Sequence, residues 1–222
     1  AGGMGTRLRP LTYDIPKPMV PVKDKPFLEH LVLLLKNNGF SDFLFCTGYL
    51  SKHIEQYFLD GSKWGINIQY SVEPSASGTG GALKLAEPLL KDEFLLLNGD
   101  TLLDINYGDL VESFDKDSSE AYIVAYTNED NITANNIRVD KDNWVIEYDK
   151  KYPANKTCVD AGVQVFKKSI LDKIPTQKVV SLEEEIFPVL IKNHQLKAYM
   201  TNKRFFDMGT PERLFIIEKV LS

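Results

Sequence analysis

The chain opens on three glycines, a threonine and an arginine, in "AGGMGTRLRP", and that composition suits the binding of an anion. Gly2, Gly3 and Gly5 have no side chain, so the backbone there can pass close to a ligand and aim N–H groups at it. Thr6 and Arg7 add a hydroxyl and a permanent cation. The stretch lacks the lysine of the P-loop pattern, and its glycine spacing is not that of the dinucleotide fingerprint. Glycines alone equally describe a flexible terminus, so the loop needs partners elsewhere. Two aspartates qualify: Asp100 closes the apolar run "EFLLLNGD", and Asp207 follows two phenylalanines in "RFFDMG". Singly, each reads as a turn or cap residue. As a pair they can be hard oxygen ligands for one Mg²⁺ that bridges phosphates.

These groups must be held by a regular fold, and the apolar periodicity supplies one. In "KPFLEHLVLLLKNNG", Phe27, Leu28, Leu31, Val32 and Leu35 recur at helical spacing, with Gly39 as the stop. "DFLFCTG" reads as a buried strand, "LSKHIEQYFLDG" as a helix, "INIQYS" as a strand, "ALKLAEPLL" as a helix, and "EFLLLNGD" as a buried strand ending at Asp100. Helices and strands thus alternate, the pattern of a parallel sheet covered by helices. Beyond it, "EAYIVAYT", "NIRVD", "WVIEYD" and "VDAGVQVF" read as further strands, partly antiparallel. "SLEEEIFPVLIKNH" begins with a capping box, Ser181 with Glu184, and reads as a helix despite Pro188. Its three glutamates favour the helix dipole and read as structural. After the short strands "LKAYM" and "RFFDMG", a final helix starts with Thr210 as cap and Pro211 at its first position.

Composition removes several functions. The 222 residues carry a net charge of −5 with dispersed Lys and Arg, which argues against a nucleic-acid or anionic-membrane partner. No apolar stretch approaches the roughly 20 residues of a membrane span. Cys46 and Cys158 each lie in an apolar run, so buried thiols in a reducing cytoplasm are expected. His30, His53 and His194 share no ligand spacing, and Trp64 and Trp144 read as packing residues.

The order "GGMGTRLRPLT", "DIPKPMVPV", "KPFLEH" resembles the signature of the sugar-phosphate nucleotidylyltransferases. Further matches run to the end of the chain: "EPSASGTGGAL" from Glu73, "LLLNGD" ending at Asp100, Lys151, "DAGVQVF" from Asp160, and "FFDMGTPERL" around Asp207. The resemblance implies an α/β fold: a Rossmann-like, three-layer nucleotide-binding sandwich with a mostly parallel mixed sheet and a β-rich sugar-binding insertion, glycosyltransferase-A-like. It implies one domain over residues 1–222, nucleotide-binding to roughly residue 118 and sugar-phosphate-binding from roughly 119. The reaction implied is attack of a sugar 1-phosphate oxygen on the α-phosphorus of a nucleoside triphosphate, with release of pyrophosphate. Two anions must meet, so cations, Mg²⁺ and backbone donors matter more than a base. By that resemblance Arg7 holds the leaving pyrophosphate, Lys17 the triphosphate, and Lys151 the sugar phosphate. The nucleotide contacts it implies are Gly2, Gly3, Gly5, Thr6, Glu73, Gly78, Gly80, Gly81, Asn98 and Gly99; the sugar contacts are Lys150, Asp160 and Gly162; the metal ligands are Asp100 and Asp207.

Glu73 falls where the family reads the base. A carboxylate only accepts hydrogen bonds, and guanine offers two adjacent N–H donors, which favours GTP over uracil or thymine nucleotides. The "GTGGAL" stretch most resembles guanylyltransferases for manno-configured hexose or heptose 1-phosphates. Thymidylyl, uridylyl or cytidylyl transfer to glucose 1-phosphate is the alternative, with cytidylyl transfer to phosphocholine behind it. A non-catalytic nucleotide-sugar sensor should have lost Arg7, Asp100 or Asp207, and all three are present. Two departures bear on the sugar: Asp160 stands where many relatives carry Asn, and Lys150 where they often carry Glu. A homo-oligomer is compatible with the sequence. Relatives place an apolar strand directly before the glycine loop, so the native protein is expected to carry that strand ahead of Ala1.

Overall fold

The computed structural model describes residues 6–221; Gly2, Gly3 and Gly5 lie outside them, as does the side chain of Thr6. In chain order the elements are β1 (Pro21–Val22), β2 (Lys25–Pro26), α1 (Phe27–Asn37), β3 (Asp42–Thr47), α2 (Ser51–Phe58), β4 (Asn67–Val72), α3 (Gly78–Ala86), β5 (Glu93–Leu97), β6 (Thr101–Leu103), α4 (Tyr107–Asp115), β7 (Ala121–Tyr126), β8 (Ile137–Val139), β9 (Val145–Tyr148), β10 (Val159–Lys167), α5 (Phe187–Lys192), β11 (Leu196–Thr201), β12 (Phe205–Asp207) and α6 (Pro211–Val220). They form two compact units, one of Ala1–Ala76, Asn98–Leu102 and Phe206–Ser222, the other of Ser77–Leu97 and Leu103–Phe205. This division differs from the expected boundary near residue 118. β5 pairs antiparallel with β10, from Val163↔Leu97 to Lys167↔Glu93, and so belongs with the later chain. β12 returns to pair with β6.

In the first unit β3 and β4 run parallel, Asp42↔Asn67 through Thr47↔Val72, with α2 in the crossover that parallel pairing requires. α1 buries Phe27, Leu28, Leu31, Val32 and Leu35 on one stripe. It ends as its sequence predicts: Gly39 sits at φ +91°, Phe40 N–H donates to Leu35 O (3.1 Å) and Gly39 N–H to Lys36 O (2.9 Å), a Schellman closure. The stripe packs with Phe45, Ile54, Phe58, Ile66, Leu102, Met208 and Ile217. Cys158 is buried as expected, but Cys46, on β3, is only half-buried.

The second unit holds a four-stranded sheet in the order β11–β7–β10–β5. β7 lies parallel to β11 and antiparallel to β10, so the sheet is mixed. Every residue of β7 is buried, as an interior strand covered on both faces requires. The register of β10 slips between Asp160 and Gln164, and Gly162 in that bulge takes φ +75°, a conformation costly for any side chain.

Three local readings are corrected. The strand expected to reach Asp100 stops at Leu97 and is half-buried rather than buried; Asp100 lies on the turn that follows. α3 begins at Gly78, so "GTGG" is its first turn and not a preceding loop. The helix after Ser181 opens with a π turn, Leu182–Ile186, which passes directly into α5, with Pro188 at the second position of α5. Ser181 Oγ accepts from Glu184 N–H (3.1 Å) as the capping box predicts, but the reciprocal bond, Ser181 N–H to a carboxylate (2.9 Å), goes to Glu185. The wider turn moves the returning glutamate one residue on.

Candidate active site

The site residues fall into two groups, one in each unit. In the first unit the short 3₁₀ turn Lys17–Met19 carries Lys17, whose Nζ forms a close ion pair with Asp100 Oδ2. Thr101 Oγ1 donates to the other oxygen, Oδ1 (3.1 Å). Met208 N–H donates to Asp100 O (3.0 Å), which fastens the residue after Asp207 to Asp100. Two residues 107 positions apart in sequence are thereby neighbours on paired chain segments. Asp207 Oδ1 accepts from Gly209 N–H (2.8 Å) and Oδ2 from Arg213 Nη1 (2.6 Å). Thr210 caps α6 with Pro211 at its first position, as predicted, and this orients Arg213 one turn in.

Each aspartate therefore has a cation beside it. Among the described residues no group of three or more His, Cys, Asp or Glu gathers to hold a metal. Two carboxylates are nonetheless the donor set of a Mg²⁺ that takes its remaining ligands from substrate oxygens and water. Asp100 and Asp207 fit that requirement.

Glu73 follows β4, and its N–H donates to Thr47 O (2.8 Å) at the end of β3. It thus lies at the carboxyl ends of two parallel strands, where open α/β sheets bind ligands. Arg7 lies exposed on the turn Thr6–Leu8. Asn98 and Gly99 form the turn before Asp100, and Asn98 O accepts from Thr101 N–H (3.3 Å).

In the second unit Gly78, Gly80 and Gly81 have a packing task. Gly80 and Gly81 N–H both donate to Val180 O (2.8 and 3.3 Å), and Val180 N–H donates to Ser77 O (2.9 Å). A backbone carbonyl thus satisfies donors that the first turn of α3 leaves open. The approach leaves no room for side chains: a Cβ on Gly80 would meet Val180 Cγ1 at 2.9 Å, and one on Gly81 would meet Lys178 O at 2.9 Å. The Gly80 and Gly81 N–H groups are thus committed to Val180 O within the protein.

Asp160, expected to accept from sugar hydroxyls, is enclosed by protein donors. Gly162 N–H (2.8 Å) and Gln164 Nε2 (3.2 Å) donate to Oδ1, and Tyr148 Oη (2.9 Å) donates to Oδ2. Burial pushes its pKa up despite these bonds. An acid whose folded pKa is raised costs stability as it ionises, so the penalty grows as pH climbs from the unfolded value through the folded one. Asp160→Asn should remove that slope. Thermal midpoints between pH 4 and pH 8 should fall less with rising pH in the variant than in the wild type, and parallel curves would refute a buried charge.

Lys150, on the same turn, reaches Glu183 (3.5 Å) and stands over the Tyr148 ring (5.7 Å to its centre). Lys151 pairs instead with Glu184 at the surface (3.4 Å). Sequence reading overlooked Tyr148, Gln164, Thr79 and Glu183. Nothing in "LEEE" says which glutamate faces in, because the π turn decides it.

The family model for nucleotidyl transferases matches residues 1–221. A D-glycero-α-D-manno-heptose 1-phosphate guanylyltransferase of Campylobacter jejuni is 33% identical over 211 residues, 95% of this chain and 93% of its own. A UTP–glucose-1-phosphate uridylyltransferase of Synechocystis is 32% identical over 242 residues, covering all of this chain; the match spans 62% of that protein's length. The crystal structure of HddC from Yersinia pseudotuberculosis complexed with GMP-PN superposes with a TM-score of 0.83 at 26% identity, over 100% of this chain and 97% of that one. Among the described residues no helix is long and apolar enough to cross a membrane. With this fold and these matches along its whole length, the chain belongs to the nucleotidyl transferase family and is one of its sugar-phosphate nucleotidylyltransferase enzymes.

Proposed function

We propose that the enzyme condenses GTP with a manno-configured sugar 1-phosphate to give a GDP-sugar and pyrophosphate. The observation that carries the choice of base is the position of Glu73 at the carboxyl end of β4, where an acceptor-only side chain meets the two N–H donors of guanine. The Campylobacter relative and the GMP-PN complex of HddC support the same reading. The Synechocystis relative favours UTP with glucose 1-phosphate as the second reading.

In the proposed reaction a sugar phosphate oxygen forms a bond to the α-phosphorus as the bond to the pyrophosphate oxygen breaks. Lys17 exchanges part of its contact with Asp100 for the triphosphate, and Arg7 neutralises the departing pyrophosphate. Lys151 and the turn around it hold the sugar phosphate. Asp100 and Asp207 would hold Mg²⁺, which when bound offsets phosphate charge and aligns attack with departure. No general base is needed, since a phosphate monoester dianion is already a nucleophile. We place the enzyme in the cytoplasm, where nucleoside triphosphates are made.

A panel of four triphosphates against mannose, heptose and glucose 1-phosphates, followed by pyrophosphate release, tests the choice. GTP should exceed UTP in kcat/KM by about 10-fold or more, the cost of leaving buried polar groups mismatched. Equal use of GTP and UTP would overturn the argument from Glu73.

A further inference from the structure

Arg213 stands where the rules of helix ends would put an acid. α6 opens with Thr210 as its cap and Pro211 as its first residue, so Arg213 is the third, the place at which a capping box carries Glu or Gln. A cation in the first turn also faces the positive end of the helix dipole. Its backbone still obeys the cap, since Arg213 N–H donates to Thr210 Oγ1 (3.4 Å). The stretch "TPER" thus sets a local preference aside at its last side chain, and what that side chain gains is Asp207, whose Oδ2 accepts from Nη1 at 2.6 Å.

The guanidinium is not needed to aim that carboxylate. Gly209 N–H already holds Oδ1 (2.8 Å), and a Cβ on Gly209 would meet Oδ1 at 2.5 Å, so the main chain comes as close as only glycine permits. Met208 N–H ties the same segment to Asp100 O (3.0 Å). Orientation comes from the backbone, and charge is what Arg213 adds. Lys17 serves Asp100 in the same way. All four side chains belong to the first unit, and their formal charges cancel. A neutral cluster exerts little pull on a free divalent cation, whereas two carboxylates without counter-ions would attract one. A triphosphate brings negative charge of its own and turns the balance back toward the metal. The Arg213 side chain is 47% exposed, so it can withdraw into water without stranding a buried charge.

We propose that Arg213 is the standing counter-ion of Asp207, a positioning residue that keeps the free enzyme's affinity for divalent cations low and makes metal retention depend on the triphosphate. This rests on the reading of Asp100 and Asp207 as the metal carboxylates.

The test titrates Mg²⁺ alone into the whole protein by calorimetry at low ionic strength, then repeats the titration with GTP present and no sugar phosphate. Arg213→Met should tighten Mg²⁺ binding to the free protein about 10-fold, the pull of one unit charge on a divalent ion a few ångströms away in a water-like dielectric. With GTP present the affinity should stay within about twofold of wild type, so the factor by which GTP tightens metal binding falls. Arg213→Gln keeps a donor for Oδ2 without the charge; it should behave as Arg213→Met and carries the test if the methionine variant does not fold. Arg213→Lys should return the wild-type affinity, a pattern that follows charge and that a merely structural role would not produce. Unaltered or weaker Mg²⁺ binding in the methionine and glutamine variants overturns the proposal, as does a glutamine variant that behaves as the wild type. Wild-type Mg²⁺ affinity in Asp207→Asn with GTP present would instead overturn the reading of Asp207 as a metal ligand, and the counter-ion with it.

Discussion

Asp100→Asn should lower kcat by about 10³-fold, the rate equivalent of the several kcal/mol that a bound metal contributes to phosphoryl charge stabilisation. Asparagine keeps the size of the side chain and can still accept from Thr101 through its carbonyl, so the turn should persist. What it loses is the charge opposite Lys17, whose side chain is only 13% exposed. Removing one member of a partly buried pair leaves the other unbalanced, so a fall in stability accompanies the fall in rate. The two are separable: Lys17→Met on the Asp100→Asn background restores stability but not turnover. Magnesium titration by calorimetry should show weakened binding in Asp100→Asn. Unaltered affinity together with wild-type turnover would end the case for Asp100 as a metal ligand.

Gly78→Ala should destabilise the fold by about 2–5 kcal/mol. Gly78 sits at φ +76°, where a Cβ costs about 1–2 kcal/mol, and that Cβ would collide with the Val180 carbonyl. Overpacking against backbone adds about 1–3 kcal/mol more. For a chain of this size the melting midpoint should drop by about 5–15 °C. If Gly78 served only to admit a nucleotide, the midpoint of the free protein would not change and only KM for the triphosphate would rise. Differential scanning calorimetry without ligand distinguishes the two.

Much of this was legible in the sequence because it depends on local chemistry. Gly39, Thr210 and Pro211 act at the helix ends where their backbone preferences place them. The motif resemblance is what couples Asp100 with Asp207 in the sequence, and the bond from Met208 N–H to Asp100 O makes their chain segments neighbours. The surroundings of Asp160 were not legible because a residue type carries no information about which donors reach it, and three come from residues 148, 162 and 164. Glu183 was passed over because a run of glutamates has no periodicity that singles one out. The glycines of "GTGG" accommodate residues 178–180 of the same chain, a packing role their residue type does not announce. For the α3 glycines the deciding partner was distant in sequence, and spacing alone cannot name it.

The two units are not laid out one after the other along the chain. The first is completed by Asn98–Leu102 and by the segment from Phe206 onward, each reached only after an excursion through the second. No single cut can release either unit whole, and a fragment ending near residue 118 would hold Asp100 without Asp207. During synthesis the same order applies. A ribosome must translate past residue 207 before both carboxylates exist, so a message cut short of that point yields protein without the pair.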